Sequence, residues 1–518
     1  MKRRNLTILL SLLMPVMAGA QNADDIKQAA GVEITKAKSL WYNTNNASGL
    51  VFTPLENFND VTVGYKSNSG DFKMSQSGEN EGVIGVATQG ALNLGGTMLW
   101  GAFNYENITT NDNLYNTNMF DPFRDMPYYV ADPVISKWKK QTYDLRLKAG
   151  FPVLWDVWGI GCEVDYITNT AAKQNDPRSE NYYYTLSVRP GFTFKLSDNH
   201  QIGINAVYEY LFERASFNNS DSQTDQNVFV MRGLGNYSPG IVGGIGGLQT
   251  HYWKGNKIGG AFQYSFLSNG AFKALLDVRY NYKVEDAYQA PTKPQRMGST
   301  VQNYMGGTLQ LLADGERFTN KVTLEYIDKS TDGIEFIQVV DNSYEVQQWV
   351  TLAQYVRSNY SLKVASLKYD FFVNSERGYS WRAGVAGEYS DKFDEYYLPN
   401  STLKAENIYF SIYGKKNFAL SKKSTLLFGI NFGYNSNIDG YYKYSGSCEG
   451  SDIVDKMYAN DIAYMTTNYM RVGGELNFST MVAKKTALFI SANCQYLNPD
   501  NEMFNNRTNL AFSLGINF

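Results

Sequence analysis

The residues that could do acid–base, nucleophilic or metal chemistry are few and poorly placed for it. The 518-residue chain has two histidines, His200 and His251, and three cysteines, Cys162, Cys448 and Cys494. Both histidines fall in or beside connections, so each is expected to be solvated or interfacial rather than a general base. Three widely spaced thiols give neither a disulfide framework nor a zinc pattern. No G-x-S-x-G elbow and no H-E-x-x-H occurs. Gly233-Leu234-Gly235 and Gly243–Gly247 are glycine-rich, but no buried strand and helix flank them as a phosphate cradle requires. They read as flexible loop, outside or folded into a pore. Glu449, Asp452, Asp455 and Asp461 lack the spacing of a calcium loop and read as a solvated charged loop. These observations imply no enzyme and no cofactor.

The polar chemistry that does recur is charge at every second position. In 271–284, Phe272, Ala274, Leu276, Val278, Tyr280 and Tyr282 alternate with Lys273, Asp277, Arg279, Asn281 and Lys283. In 143–151, Tyr143, Leu145 and Leu147 alternate with Asp144, Arg146 and Lys148, and 182–196 and 470–479 behave alike. Period two means a strand with one apolar and one polar face. Eighteen such strands are expected, from about 60–66 to 506–518. Counting weak ones differently gives about 16–20. Many exceed the usual strand length of soluble sheets and suit a tilted bilayer crossing. Two local breaks read as bulges: between Val364 and Leu367, and at Pro190-Gly191.

Short turns such as Asn93-Leu94, Ser197-Asp198 and Asn269-Gly270 alternate with long connections at about 109–139, 215–255, 331–357 and 438–466. The whole implies an all-β fold: a transmembrane, antiparallel, up-and-down barrel with its long loops at one end. The last strand presents Leu510, Phe512, Leu514, Ile516 and Phe518 on one face, and is expected to face lipid with them and close the barrel. Cys162 and Cys494 are expected on the lipid face too.

The other end begins with Lys2-Arg3-Arg4, an apolar run from Leu6 to Val16, and Ala18-Gly19-Ala20. This reads as a signal peptide, residues 1–20, cut between Ala20 and Gln21. Residues 21–58 form a short non-barrel segment, modestly helical over Asp24–Ala37, that is expected to lie in the periplasm or plug the lumen. The barrel is then 59–518, with an even strand number and both termini periplasmic. An energy-coupled receptor is disfavoured, because such barrels need about 22 strands and a larger folded plug.

With the apolar face toward lipid, a set of charges lines the lumen: Arg146, Glu163, Asp165, Arg189, Glu209, Glu213, Asp277, Arg279, Glu325, Arg382, Glu388, Arg471 and Glu475. They either set the selectivity of a hydrated passage or pair and stiffen the wall. The like-signed Glu209 and Glu213 are the ones that structure alone does not favour. A net charge of −3 gives no electrostatic case for nucleic acid.

Ser39-Leu40-Trp41, Asn45-Asn46-Ala47-Ser48-Gly49-Leu50, Ser75-Gln76-Ser77-Gly78 and Leu99-Trp100-Gly101-Ala102-Phe103-Asn104-Tyr105 resemble an uncharacterised Bacteroidota family of outer-membrane β-barrels. The resemblance implies location and fold and transfers no catalytic residue. The expected function is a channel or specific pore for a small solute. The alternative is a membrane anchor whose long loops bind an extracellular ligand or a partner lipoprotein. Outer-membrane lipid and the barrel-assembly machinery are the implied partners.

Overall fold

Alternation of apolar and polar side chains produces strands that pair with their sequence neighbours. The structure is a computed structural model and describes residues 28–518 apart from 222, 244–246, 249, 269–271, 291, 344–346 and 485. The expected signal peptide, the cleavage between Ala20 and Gln21, and Gly244–Gly246 lie outside the described residues. In chain order the strands are β1 (Phe58–Ser69), β2 (Asn80–Leu94), β3 (Thr97–Asn113), β4 (Val130–Ala131), β5 (Ser136–Gly150), β6 (Trp158–Lys173), β7 (Arg178–Lys195), β8 (His200–Asn218), β9 (Gln226–Gly233), β10 (Asn236–Val242) and β11 (Thr250–Leu267). They continue with β12 (Phe272–Gln289), β13 (Gln295–Asp314), β14 (Phe318–Asp341), β15 (Gln348–Ser375), β16 (Gly378–Tyr396), β17 (Ser401–Ala419), β18 (Ser424–Lys443), β19 (Tyr469–Ala483), β20 (Thr486–Pro499) and β21 (Arg507–Asn517). Helix α1 spans Ala29–Lys38 and α2 spans Ala459–Thr466.

Eighteen strands form one closed antiparallel barrel, and β4, β9 and β10 form a separate three-stranded sheet. The barrel closes through β21, where Leu514 lies opposite Ile490 of β20 on one side and Val63 of β1 on the other. Its outer face is apolar: Ile84, Ile204, Phe262, Phe410, Ile430 and Phe512 all stand exposed there. Such a continuous apolar exterior calls for a covering phase. Core packing lies inside the barrel instead, in one group around Trp41, Leu50 and Met98 and another around Met119, Tyr128 and Trp253.

One rim carries connections of only two to seven residues, and the other carries 114–135, 219–249 and 444–468. The alternation of short and long is looser than the sequence suggests, since 174–177, 290–294 and 397–400 at the loop rim are also short. The long loop expected at 331–357 is not one. β14 continues to Asp341 and β15 starts at Gln348, because Ile334–Val340 and Trp349–Val356 keep pairing through two bulges, at Gly333/Ile334 and Ile337/Gln338. Neither expected bulge exists. Pairing runs unshifted through Val364 and Leu367, so Val364 is an apolar residue on the inward face. At Pro190 the ladder to β8 lapses, then resumes at Gly191 in the same register. Gly233-Leu234-Gly235 is the tight turn of the β9–β10 hairpin, not a flexible loop. Gly233 and Gly235 have positive φ there, which glycine tolerates at no steric cost, and Leu234 between them is left-handed as well.

Candidate functional site

The lumen is filled from both ends. At the turn rim, residues 28–57 lie inside the barrel. Two 3-10 turns, Leu40–Asn43 and Ala47–Val51, follow α1. Asn46 caps the second, accepting from the Ser48 N–H at 3.1 Å. Its amide nitrogen then reaches the wall: it donates to the carbonyls of Phe192 and Ile204, each at 3.2 Å, and to Gln263 Oε1 at 2.9 Å. Gln263 in turn donates to Asn205 at 2.9 Å and Asp277 at 2.8 Å. Asn46 and Gln263 are fully buried, so each lost partner would leave a desolvated polar group.

The wall is shaped for this approach. Gly150, Gly159, Gly161, Gly191 and Gly203, on β5 to β8, face the segment so closely that a Cβ at each would come within 3 Å of it or of Gln263. Lys148 donates to the carbonyls of Tyr42 at 3.0 Å and Thr44 at 2.8 Å, and Lys321 donates to that of Ala37 at 3.0 Å.

Helix α1 lies on Phe372, Tyr379 and Leu427, and its carboxylate Glu33 is clamped. Arg382 and Lys415 each donate to Glu33 at 2.8 Å and the Tyr379 hydroxyl donates at 2.7 Å. Behind them Arg382 pairs with Asp370 at 2.7 Å and Lys415 with Glu475 at 2.8 Å. Burial alone would raise the Glu33 pKa. The Lys415 and Arg382 cations outweigh it and hold the carboxyl below its ordinary value.

At the loop rim a cap folds inward. Residues 114–135 carry Arg124 between Glu213 of β8, which it contacts closely, and Glu285 of β12 at 3.1 Å. Asn118 lies 3.2 Å from His251 Nδ1, and Asp132 pairs with Lys173 at 3.1 Å. His251, expected to be solvated or interfacial, is 0% exposed. β11 begins at Thr250, and the cap covers the ring against Phe217 and Trp253. Of the expected solvated acidic loop, Glu449 and Asp455 are exposed and Asp452 is half-buried, and only Asp461 departs from the expectation. Asp461 sits on α2 and is 6% exposed, accepting from the Ser75 N–H at 2.7 Å. Burial raises its pKa.

The charges named from the sequence fall on the inward face, and most have partners. Arg146 pairs with Asp144 at 2.7 Å. Arg189 bridges Glu163 at 2.7 Å and Asp165 at 2.6 Å, and Lys148 lies 3.3 Å from Glu163. Arg279 links Glu325 at 2.8 Å and Asp277 at 3.6 Å. Glu209 and Glu213 are not a like-signed pair in effect, because Glu209 has Lys257 at 2.6 Å and Glu213 has Arg124. Glu388 and Arg471 make no ion pair among the described residues. On β21, Leu510, Phe512, Leu514 and Ile516 point outward, and Phe518 lies just past the strand, its N–H bonded to the Asn59 carbonyl at 3.1 Å.

Glu33, Arg124, Asp370 and Lys415 went unnamed in the sequence, and Asn46 was named only within the family resemblance. Asp370 and Lys415 had a findable signal, since each shares the inward phase of its strand. Arg124 had none.

Among solved structures, the chain is similar to the ferric preacinetobactin receptor BauA from Acinetobacter baumannii at 10% identity, covering 89% of this chain and 80% of that one with a TM-score of 0.40. It is similar to the copper transporter OprC at 10% identity, with 89% and 81% covered and a TM-score of 0.41. A monoaromatic hydrocarbon channel, the TodX deltaS2S3 mutant, shares 9% identity over 91% of this chain and 92% of that one with a TM-score of 0.31. No curated protein matches the sequence. A family model matches from Ala47, inside the lumen segment, to Phe518, and the chain therefore belongs to the family of unknown function DUF6850.

Proposed function

We propose that the protein is an outer-membrane barrel that passes a small solute and is gated by its own N-terminal segment. On this reading residues 1–20 are a signal peptide cut between Ala20 and Gln21, 21–58 are the plug, and 59–518 are the barrel. The turn rim and both termini then face the periplasm. The apolar exterior supports a lipid setting, and the short turns at one rim match the usual orientation of such barrels.

The observation that carries the reading is the polar clamp on the plug. The segment shares apolar packing with the wall, Trp41 and Leu50 beside Met98 and Leu275, and Ala30 and Ile34 on Phe372 and Leu427. Its specific hold is polar: Glu33, Asn46 and carbonyl groups meet wall cations and amides, all of which water can replace once the segment moves. The paired lumen charges keep the wall rigid and polar behind it.

Planar-bilayer recordings test this. The full chain is expected to show brief openings, and removal of residues 28–57 to lengthen and enlarge them. Conductance indifferent to that removal refutes the plug as the gate. Absence of both conductance and liposome solute flux in either form refutes passage itself.

A further inference from the structure

A cavity of about 340 Å³ lies where the cap meets the wall, between residues 122–129, α2 and the inward faces of β14 to β17. That volume suits a small organic molecule. Its lining is unusual in two respects. Four thioethers, Met74, Met126, Met457 and Met465, and the rings of Phe123, Tyr129, Tyr360 and Tyr458 supply polarisable surface. Among charged groups it holds three carboxylates, Asp125, Asp394 and Asp461, against two ammonium groups, Lys329 and Lys392.

Two of those carboxylates are already neutralised. Asp125 pairs with Lys329 at 2.5 Å and Asp394 with Lys392 at 2.8 Å. Asp461 makes no ion pair among the described residues, although nine-tenths of it is buried. It accepts from a backbone N–H, which orients it without cancelling its charge, and the Lys73 ammonium acts on it only from beyond ion-pair distance. A buried carboxylate with no cation in contact is costly, and aromatic faces and thioethers beside it favour a soft, bulky cation over a hydrated inorganic one.

We infer that this cavity binds an organic cation, a primary or substituted ammonium on an apolar or aromatic body, with the charged end at Asp461 and the body against Tyr458 and the methionines. The site lies on the lumen side of the cap, so this deepens the passage reading by naming the solute class. It rests on that reading for the step after binding, and binding itself is independent of it.

Isothermal titration of the purified full chain with three probes of similar shape tests the inference: phenethylammonium, 2-phenylethanol and 3-phenylpropionate. The cation is expected to bind at least about tenfold more tightly than the alcohol, with the anion weakest. Asp461→Asn keeps an acceptor for the Ser75 N–H, and should reduce cation affinity to that of the alcohol while leaving the alcohol unchanged. Met126→Trp fills the cavity and should abolish binding of all three. Equal affinity for cation and alcohol, preference for the anion, an unaffected Asp461→Asn variant, or binding retained in Met126→Trp each overturns it. Cation binding without liposome flux would instead refute passage and leave the site standing.

Discussion

Glu33→Gln is the perturbation that most directly tests the plug. The substitution keeps the side chain's shape and one acceptor but removes the charge that Arg382, Lys415 and the Tyr379 hydroxyl all address at 2.7–2.8 Å. Breaking a fully buried ion pair costs about 3–5 kcal/mol. Here the Glu33 side chain is 26% exposed, and both cations keep a second partner, Asp370 for Arg382 and Glu475 for Lys415. The cost should fall to about 2 kcal/mol. At 1.4 kcal/mol per factor of ten, that shifts the seated-to-released ratio by roughly 30-fold.

Trypsin can report this shift, because Lys36 and Lys38 lie on the clamped helix or at its end and are held to Gln89 and Asp314. Cleavage there is expected to accelerate by about the same factor while the barrel stays intact, since opening precedes cleavage. Open probability in bilayers should rise in parallel. Unchanged trypsin cleavage in Glu33→Gln, or loss of the folded barrel together with it, would refute the clamp as the holding element.

The same carboxylate sets a pH response. Glu33 is held below its ordinary pKa, so its contribution is complete above about pH 4.3 and is lost as pH falls through the depressed value. Plug release should therefore grow only under acid conditions, as trapped by a pulse of an acid-active protease. Gly161→Val would drive side-chain atoms into Ala47 and Ser48, costing about 1–3 kcal/mol of plug seating and raising trypsin cleavage without lowering barrel stability. Gln263→Leu removes the partner of Asn46, Asn205 and Asp277 at once, and should cost about 2–3 kcal/mol in thermal unfolding of the plug.

The barrel was legible because its signal is repetitive. Lys273 to Lys283 show the two faces of β12 within a dozen residues, and a barrel with an apolar exterior and a polar interior repeats the same alternation on every strand. The site was less so. Leu362 and Val364 share the inward phase of Asp370 on β15, and as apolar residues on a polar face they imitated a bulge. Leu362 lines the cavity beneath the cap, beside Lys329 and Lys392 of the neighbouring strands. Glu33 was hidden for a different reason. A helix inside a polar lumen needs no strong apolar stripe, so α1 carries little amphipathic signal, its buried face being Ala30, Gly31, Ile34 and Thr35. His251 and Arg124 depend on a loop folding back onto strands more than 80 positions away, and no local period encodes that.

The plug and the cap have separate cores and separate ion pairs, so they should open independently. The plug is seated on a glycine-paved wall by polar contacts and by its own apolar cluster around Trp41 and Leu50. The cap has an apolar core of Met119, Tyr128, Met231 and Trp253 with one embedded cation, Arg124. Arg124 stacks near Tyr183 and Trp253 and neutralises carboxylates from two strands, β8 and β12. Arg124→Met preserves packing volume but strands Glu213, which keeps only the Phe120 N–H at 2.7 Å and Asn181 at 3.0 Å. Glu285 retains Lys283 at 2.7 Å. The net penalty should be about 3 kcal/mol, toward the lower end for an uncompensated buried charge. Chymotrypsin cleavage at Phe120 and Phe123 should then speed up by about 100-fold while trypsin cleavage at Lys36 stays unchanged. If both sites loosen together, the cap and the plug are one cooperative unit, and the two-gate account of this lumen fails.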